Sequence, residues 1–264
     1  MNSRISVART MQPLIPSCGG FAQPPAGIDA AFESGQVHVW RIDLDRFPHA
    51  AWNTVLRPED VQRAGRFVRQ VHRDRFLQCR FCLLTLLSAY TGCAGHELDL
   101  RTNEHGKPYL PPEYRLGFNL SHSENLAVIA IGRAPAIGID IERPVPPQDI
   151  HALARQVLSE QENAAFEALP QAQALLSFFV CWTRKEAFLK AVGAGLTLDP
   201  RHIHVGLTAE PLQVAHGARS DLFEVTTIDS GHAIVSLAVG HSTYRGRPRI
   251  RDYHPTFCAS ETQP

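Results

Sequence analysis

The first half of the chain has apolar positions spaced to predict a strand, two helices and a second strand. The run VHVWRIDLD predicts a strand that begins at Val37, and RPEDVQRAGRF predicts a helix with Pro58 in its first turn. The long apolar run RFLQCRFCLLTLLSAYTG predicts a second helix that ends at Gly92. The segment LDLR and a loop then lead to LAVIAIG, which predicts another strand.

The second half repeats this order of elements with little sequence identity. AIGIDIE predicts a strand, and LSEQENAAFEAL predicts a helix that opens with a capping box of Ser159 and Glu162. The helix predicted for SFFVCWTRKEAFLKAVGAG ends in glycines, and HIHVGL, LFEVTTI and AIVSLAVG predict further strands. The repetition predicts an α+β protein of two similar halves, with a ligand cleft at their interface.

Changes in composition and the positions of turns divide the chain into four predicted segments. Residues 1–35 are rich in Pro, Gly, Ala and Ser and are predicted to be a disordered lead. Residues 36–135 are the predicted N-terminal half and residues 136–244 the C-terminal half, joined at the RAPA turn. Residues 245–264 carry clustered arginines and prolines and are predicted to be a basic, loosely ordered tail.

The composition, with 44% hydrophobic and 20% charged residues, is that of a soluble globular protein. The formal net charge is zero, so no whole-protein field favours nucleic acid or anionic membranes. The sequence has neither the apolar core of a secretory signal nor a stretch that approaches a membrane span. We therefore expect a cytoplasmic protein that binds neither nucleic acid nor membrane.

The six cysteines are scattered, and several lie in apolar helical segments, which favours reduced thiols over a disulfide framework. Cys79 and Cys82 form a lone C-x-x-C inside a predicted helix. We expect these two side chains to pack in a core rather than to bind metal or take part in redox chemistry.

Two carboxylates in AIGIDIE are candidates for metal binding. On a strand, Asp140 and Glu142 project from the face opposite the isoleucines, so they can flank one hard cation directly or through water. Gly138, on the same face, is expected to leave open space beside them. The alternative is a solvated polar face that ends at Pro144.

Lysine is rare in this chain: of its 26 basic residues of the lysine and arginine types, only three are lysines. In WTRKEAFLK the spacing stacks Trp182, Glu186 and Lys190 along one helix stripe. The spacing of Glu186 and Lys190 also suits an ordinary helical ion pair. In a chain that uses arginine for nearly every positive charge, however, an exposed ion pair is expected to contain arginine rather than lysine. Lys190 is therefore a candidate for a phosphate oxygen. Lys185 lies about 100° around the helix from Glu186, so packing or carrier contact is expected for it instead.

The third lysine and a Ser-His pair lie between these two motifs. Lys107 follows Gly106, which permits an unusual backbone angle, and precedes Pro108, and a structural turn is the alternative to a binding role. Ser121 and His122 lie just before an apolar strand and are able to offer a hydroxyl and an imidazole to a phosphate. A capping Ser with a half-buried His is the alternative.

Together the motifs G-K-P, F-N-L-S-H-S, G-I-D-I-E and W-T-x-K-E-A-x-x-K, in this order and spacing, resemble the 4′-phosphopantetheinyl transferases. The resemblance is to the two-domain, surfactin-synthetase-activating type and covers roughly residues 37–240. It implies a fold of two halves related by a pseudo-two-fold, a monomer, and an active site at the interface of the halves. The implied reaction moves the phosphopantetheine arm of coenzyme A onto a serine hydroxyl of an apo acyl, peptidyl or aryl carrier protein and releases adenosine 3′,5′-bisphosphate.

The resemblance also implies roles for site residues. Asp140, Glu142 and Glu186 would hold Mg²⁺, with Mn²⁺ as an alternative, and Glu186 would act as general base. Lys190 would contact the pyrophosphate and stabilise its developing charge.

The coenzyme A contacts implied by the resemblance come from several segments. Gly106, Lys107 and Pro108 would lie at the adenine end, and Ser121 and His122 at the phosphates. Arg63 is expected at the 3′-phosphate, with Arg66, Arg75 and Arg80 as weaker candidates. Leu84, a position that is often basic in relatives, is apolar here.

Two alternative functions remain open at this point. A coenzyme A or carrier-binding protein without transfer activity would need no acidic metal ligands, and a nucleotide-dependent phosphotransferase would need a G-x-x-x-x-G-K-[ST] loop that the chain lacks. The carrier would dock beside the cleft, where residues 152–180 offer Leu158, Phe166, Leu169 and Phe178. The alternative is that these side chains pack the second half.

Overall fold

A computed structural model describes residues 36–46, 55–217, 221–230, 232–240 and 249–252. In its described residues the first half of the chain forms five strands and two α-helices. Its helices and strands are, in chain order, β1 (Val37–Asp43), α1 (Pro58–Ala64), α2 (Gln70–Thr91), β2 (Arg101–Thr102), β3 (Pro108–Tyr109), β4 (Gly117–Ser123) and β5 (Leu126–Gly132). The predicted start of α1 at Pro58 and the end of α2 before Gly92 are confirmed.

The second half has the same kind of content. Its helices and strands are β6 (Ile137–Glu142), α3 (Ile150–Val157), α4 (Glu160–Glu167), α5 (Gln171–Val192), β7 (Leu212–His216), β8 (Asp221–Asp229) and β9 (Ile234–Gly240). The predicted capping box is present, because Ser159 Oγ accepts the Glu162 N–H while the Glu162 carboxylate accepts the Ser159 N–H. A last strand, β10 (Arg249–Asp252), follows.

The two halves share one pattern of strand pairing. One sheet has the order β10-β1-β5-β4 and the other β6-β9-β8-β7, so the first strand of each half pairs antiparallel with its last strand. Each half also has a 22-residue helix that ends at a left-handed glycine, Gly92 (φ 73°) or Gly193 (φ 74°). The predicted α+β fold of two similar halves is therefore confirmed.

The two sheets pack against each other through aliphatic side chains. Ile137, Ile139 and Ile141 of β6 are fully buried in a cluster that also includes Val39 of β1 and Val128 of β5. The face of β6 that carries these isoleucines is therefore buried in the core. The opposite face, which carries Asp140 and Glu142, turns toward α5.

Gly138 has a different function from the predicted one. A Cβ at this position would lie 2.0 Å from the Ala187 carbonyl oxygen and 2.3 Å from the Ala191 nitrogen. The expectation of open space beside the carboxylates is wrong, because the backbone of α5 fills it. Glycine is needed here so that the helix can lie directly on the strand.

The predicted strand HIHVGL is not formed. The backbone of this segment instead forms hydrogen bonds with the buried ion pair of Glu162 and Lys185. Glu162 Oε1 accepts the N–H groups of Val205 (2.7 Å) and Gly206 (3.0 Å), and Lys185 donates to the Ile203 carbonyl. These backbone groups are therefore not available to a sheet.

Helix α3 and the strands β2, β3, β7 and β10 were not predicted. β7 pairs with β8, and β10 lies in the segment predicted as a loose tail, where it pairs in parallel with β1. The strand β4, which includes the Ser-His pair, was predicted only as the approach to a strand.

Cys79 and Cys82 are buried free thiols in the core of the first half, as expected. Burial raises the pKa of Cys79 to about 12. Cys18 and Cys258 lie outside the described residues.

Candidate active site at the seam between the halves

A seam of side-chain contacts joins β4 of the first half to β6 of the second. Alternate residues of β4 each supply one contact, and all of them point at β6. The three bonds are Ile139 N–H to Asn119 Oδ1 (2.9 Å), Ser121 Oγ to Asp140 Oδ1 (2.8 Å) and Ser123 Oγ to Glu142 Oε2 (2.8 Å). The two strands are not paired by backbone hydrogen bonds, so these side chains fix the alignment of the two halves at this edge.

The centre of the seam is an Asp-Lys-Ser cluster. The Lys190 ammonium lies 2.6 Å from Asp140 Oδ1 and 2.9 Å from Ser121 Oγ. It therefore crosses to Asp140 instead of forming the helical pair with Glu186. Asp140 is only 4% exposed, and its Oδ2 is buried without a hydrogen-bond partner in the described part of the chain. A buried carboxylate oxygen without a partner is costly, which indicates a place for a ligand.

Glu142 and Glu186 complete the acidic side of this cluster. Burial raises the pKa of Glu186, and the negative charges of Asp140 and Glu142 raise it further, against a smaller lowering by Lys190. Burial likewise raises the pKa of Glu142, although hydrogen bonds from Ser123 and Trp182 oppose this. The carboxylates are thus close enough to repel one another, as expected where a cation is to be bound.

The residues present suit a hard divalent cation in their chemistry. Carboxylate oxygens are the preferred ligands of Mg²⁺, and the buried Asp140 Oδ2 has no hydrogen-bond partner among the described residues. Among the described residues, no three His, Cys, Asp or Glu side chains are already grouped as a metal site. Lys190 engages Asp140 Oδ1, so Oδ2 is the oxygen of this carboxylate without a partner in the described part of the chain.

A cleft of about 660 Å³ opens beside this cluster. Both halves line it, because Arg143 belongs to the second half and the other lining residues to the first. The lining residues are Asp45, Val71, His72, Arg75, His122, Glu124, Asn125 and Arg143. Its volume is within the range of small-molecule and cofactor sites.

Arg75 and His122 are the predicted phosphate-binding side chains that line this cleft. Arg75 Nη1 is buried without a partner among the described residues. Arg75 Nη2 lies 3.7 Å from Asp45 Oδ1. Partial burial lowers the pKa of His122, and the positive charges of Lys190, Arg75 and His72 lower it further. A bound phosphate would relieve this repulsion.

The structure distributes the predicted arginines differently. Arg75, a weaker candidate, lines the cleft, whereas the favoured Arg63 is exposed and lies over the Phe76 ring at 5.3 Å. Arg66 is also exposed. Arg80 is held by an ion pair with Asp60 at 2.8 Å. For Arg63, Arg66 and Arg80, contact with coenzyme A stays a prediction.

Leu84 is fully buried in the core of the first half. This apolar side chain therefore packs in the core and does not reach a phosphate.

Lys107 is not directed into the cleft. Its ammonium donates to the carbonyls of Ile137 and Ala191, both at 3.0 Å, and burial lowers its pKa to about 8. Gly106 has the positive φ (82°) that its position predicted. A contact of Lys107, Gly106 or Pro108 with a nucleotide stays a prediction, and the ammonium contacts of Lys107 do not support it.

Lys185 is fully buried and forms an ion pair with Glu162 Oε2 at 2.7 Å. Of its two predicted alternatives, packing is therefore confirmed and carrier contact is excluded. Leu158, Phe166 and Phe178 are also buried in the core of the second half, and Leu169 packs against it. The alternative that these side chains pack the second half is the one observed.

Sequence reasoning missed Asn119, Ser123, His72, Asn125 and Arg143. For the first two a signal existed, since F-N-L-S-H-S places Asn119, Ser121 and Ser123 on one face of a strand. For the cleft residues no comparable signal exists, because only the packing of the halves brings them together.

Comparison with known proteins identifies the family of the chain. Residues 136–254 match the 4′-phosphopantetheinyl transferase superfamily, and residues 39–133 match the family 4′-phosphopantetheinyl transferase, N-terminal. The chain is 35% identical over 212 residues to 4′-phosphopantetheinyl transferase HetI of Nostoc sp., covering 78% of this chain and 89% of that one. It is 31% identical over 234 residues to 4′-phosphopantetheinyl transferase pptA of Paxillus involutus, covering 76% of this chain and 86% of that one.

The chain therefore belongs to the 4′-phosphopantetheinyl transferase superfamily and is an enzyme of that class. Within the described residues, no helix is both long and apolar enough to cross a membrane.

Proposed function

We propose that this enzyme transfers the 4′-phosphopantetheine arm of coenzyme A to a serine hydroxyl of an apo carrier protein, with Mg²⁺, and releases adenosine 3′,5′-bisphosphate. The observation that carries the proposal is the Asp140-Lys190-Ser121 cluster, which lies beside Glu186 and next to a cleft lined by Arg75 and His122. Attack on a phosphorus needs a base, cations for developing charge and a fixed place for the leaving phosphates. The seam and the cleft supply candidates for each.

Glu186 acts as the general base in this proposal. Its raised pKa makes it a better proton acceptor than an ordinary exposed glutamate. It takes the proton of the carrier serine, directly or through one water, as the serine oxygen approaches phosphorus.

Lys190 and the cleft cations hold the phosphates. Lys190 is already fixed by Asp140 and Ser121, so its charge is preorganised before substrate arrives. Arg75 and His122 bind the phosphate at the nucleotide end, which leaves the pyrophosphate beside Lys190.

Asp140, Glu142 and Glu186 would hold Mg²⁺, with Asp140 Oδ2 as the oxygen already free to bind it. When bound, the ion neutralises charge on the pyrophosphate oxygens. Mn²⁺ is expected to substitute, because it also prefers oxygen ligands.

Intact-mass spectrometry of an apo carrier protein tests the proposal. With enzyme, coenzyme A and MgCl₂, the carrier should gain the mass of one phosphopantetheine group, and adenosine 3′,5′-bisphosphate should appear in equal amount. Chelation of the metal should stop both products. If a panel of acyl, peptidyl and aryl carriers remained unmodified while coenzyme A still bound, the non-catalytic alternative would be favoured.

A further inference from the structure

The predicted nucleotide contact of Lys107 leaves its buried ammonium unexplained. Lys107 belongs to the first half, immediately before β3, but both of its acceptors belong to the second half. Ile137 is the first residue of β6 and Ala191 lies in the last turn of α5. One side chain therefore ties the β2–β3 turn to the strand that carries Asp140 and to the helix that carries Glu186 and Lys190.

The neighbours of Lys107 strengthen this attachment. Asn103 Nδ2 donates to the Gly193 carbonyl at 2.8 Å, just past the end of α5, while Asn103 Oδ1 accepts the Lys107 N–H at 2.8 Å. A Cβ at Gly193 would lie 3.0 Å from Lys107 Cδ, so the lysine stem packs closely on the helix end. The turn thus covers the end of α5 with two side-chain donors.

The chemistry of these acceptors suits a lysine. The last carbonyls of a helix have no partner within the helix and carry the negative end of its dipole, which a cation stabilises. β6 is an edge strand of its sheet, so the Ile137 carbonyl also needs a partner from outside that sheet. An ammonium directs several donors from one point and so satisfies both carbonyls at once.

We infer that Lys107 is a positioning residue for catalysis: it fixes α5 and β6 of the second half against the first half so that Lys190 and Asp140 meet Ser121. The inference rests on the proposed transfer reaction. Because small misplacements of reacting groups are costly in rate, loss of this attachment should lower kcat by about 10- to 100-fold while KM for coenzyme A changes little.

The kinetic test compares Lys107→Met with Ser159→Ala, which removes the cap of α4 and destabilises the second half without touching the seam. Both are assayed at a temperature where circular dichroism shows them folded. A loss of kcat in Lys107→Met alone, with partial recovery in Lys107→Arg, is the expected result. A raised KM for coenzyme A at unchanged kcat, or unchanged kinetics, would overturn the inference.

A second measurement does not depend on transfer activity. Hydrogen exchange followed by mass spectrometry should show faster exchange at the end of α5 in Lys107→Met than in wild type or Ser159→Ala. Unchanged exchange there would overturn the attachment itself. If wild type transferred nothing to any carrier, the proposed function would fail and with it the catalytic role, whereas the attachment would still be decided by exchange.

Discussion

The three lysines of the chain all end in internal contacts rather than in solvent. Lys185 pairs with Glu162 in the core, Lys190 pairs with Asp140 at the seam, and Lys107 donates to two carbonyls across it. The rarity of lysine therefore pointed to special positions, but only for Lys190 does the geometry support the predicted phosphate contact. A compact ammonium on a flexible stem suits all three places better than a planar guanidinium.

Replacement of Glu162 with Gln should lower stability by about 3–5 kcal/mol at neutral pH, because Lys185 would keep a buried charge without its partner. Glu167→Gln is the matched control, since its carboxylate is half exposed and pairs with His151. Urea unfolding measures both free energies. Equal stabilities for the two variants would contradict the importance of the buried pair.

The same carboxylate predicts a pH dependence. Although burial alone would raise it, the pKa of Glu162 is lowered to about 2 from 4.5 by Lys185 and by the N–H groups of Ser159 and Val205. Between these values the unfolded chain binds more protons, so this contribution to stability is complete above pH 4.5 and is lost as pH falls toward 2. Wild type should lose more stability than Glu162→Gln over this range, and parallel curves would contradict the assignment.

At the scale of elements, the site depends on how closely α5 lies on β6. The helix contributes Glu186 and Lys190, the strand contributes Asp140 and Glu142, and Gly138 permits their contact. Any shift of the helix away from the strand therefore separates Lys190 from Asp140.

Gly138→Ala tests this dependence. The added Cβ meets helix backbone rather than a flexible side chain, so we expect a loss of at least about 2 kcal/mol in unfolding free energy together with loss of transfer. Gly65→Ala is the control, because the nearest atom to its Cβ lies 3.4 Å away and its φ is negative. A fully stable, active Gly138→Ala would show that the close approach is unimportant.

The sequence predicted helices better than strands for a physical reason. The capping box at Ser159 and the glycines that end α2 and α5 are local signals, and all were predicted correctly. HIHVGL has the pattern of a strand, but its backbone partners come from Glu162, more than 40 residues away. Such long-range competition has no signature in local periodicity.

At the scale of the whole molecule, the duplication creates the site. Neither half alone holds Ser121, Asp140 and Lys190, and the cleft takes Arg75 from one half and Arg143 from the other. The motifs identified Ser121, Asp140 and Lys190 of the seam, but Asn119 and Ser123 were missed. A cleft at the interface was predicted, but most of its lining was not, since only the packing of the halves distinguishes Arg75 from the other arginines.

The cleft predicts discrimination between coenzyme A and its 3′-dephospho form. If Arg75 binds the 3′-phosphate, Arg75→Met should raise KM for coenzyme A by about 10- to 100-fold and leave KM for dephospho-coenzyme A nearly unchanged. Arg73→Met, an exposed neighbour on the same helix, serves as the control. An equal effect on both substrates would place the 3′-phosphate elsewhere.

The most direct test of the account is the rate at which Glu186→Gln modifies an apo carrier, followed by intact mass with saturating coenzyme A and MgCl₂. Glu186 is central because burial and the neighbouring carboxylates raise its pKa at the seam. We predict a fall in kcat of about 10²- to 10⁴-fold in a protein that unfolds at the wild-type temperature or above, with Glu167→Gln unaffected. Near-normal transfer by Glu186→Gln would contradict the proposed base and the site built around it.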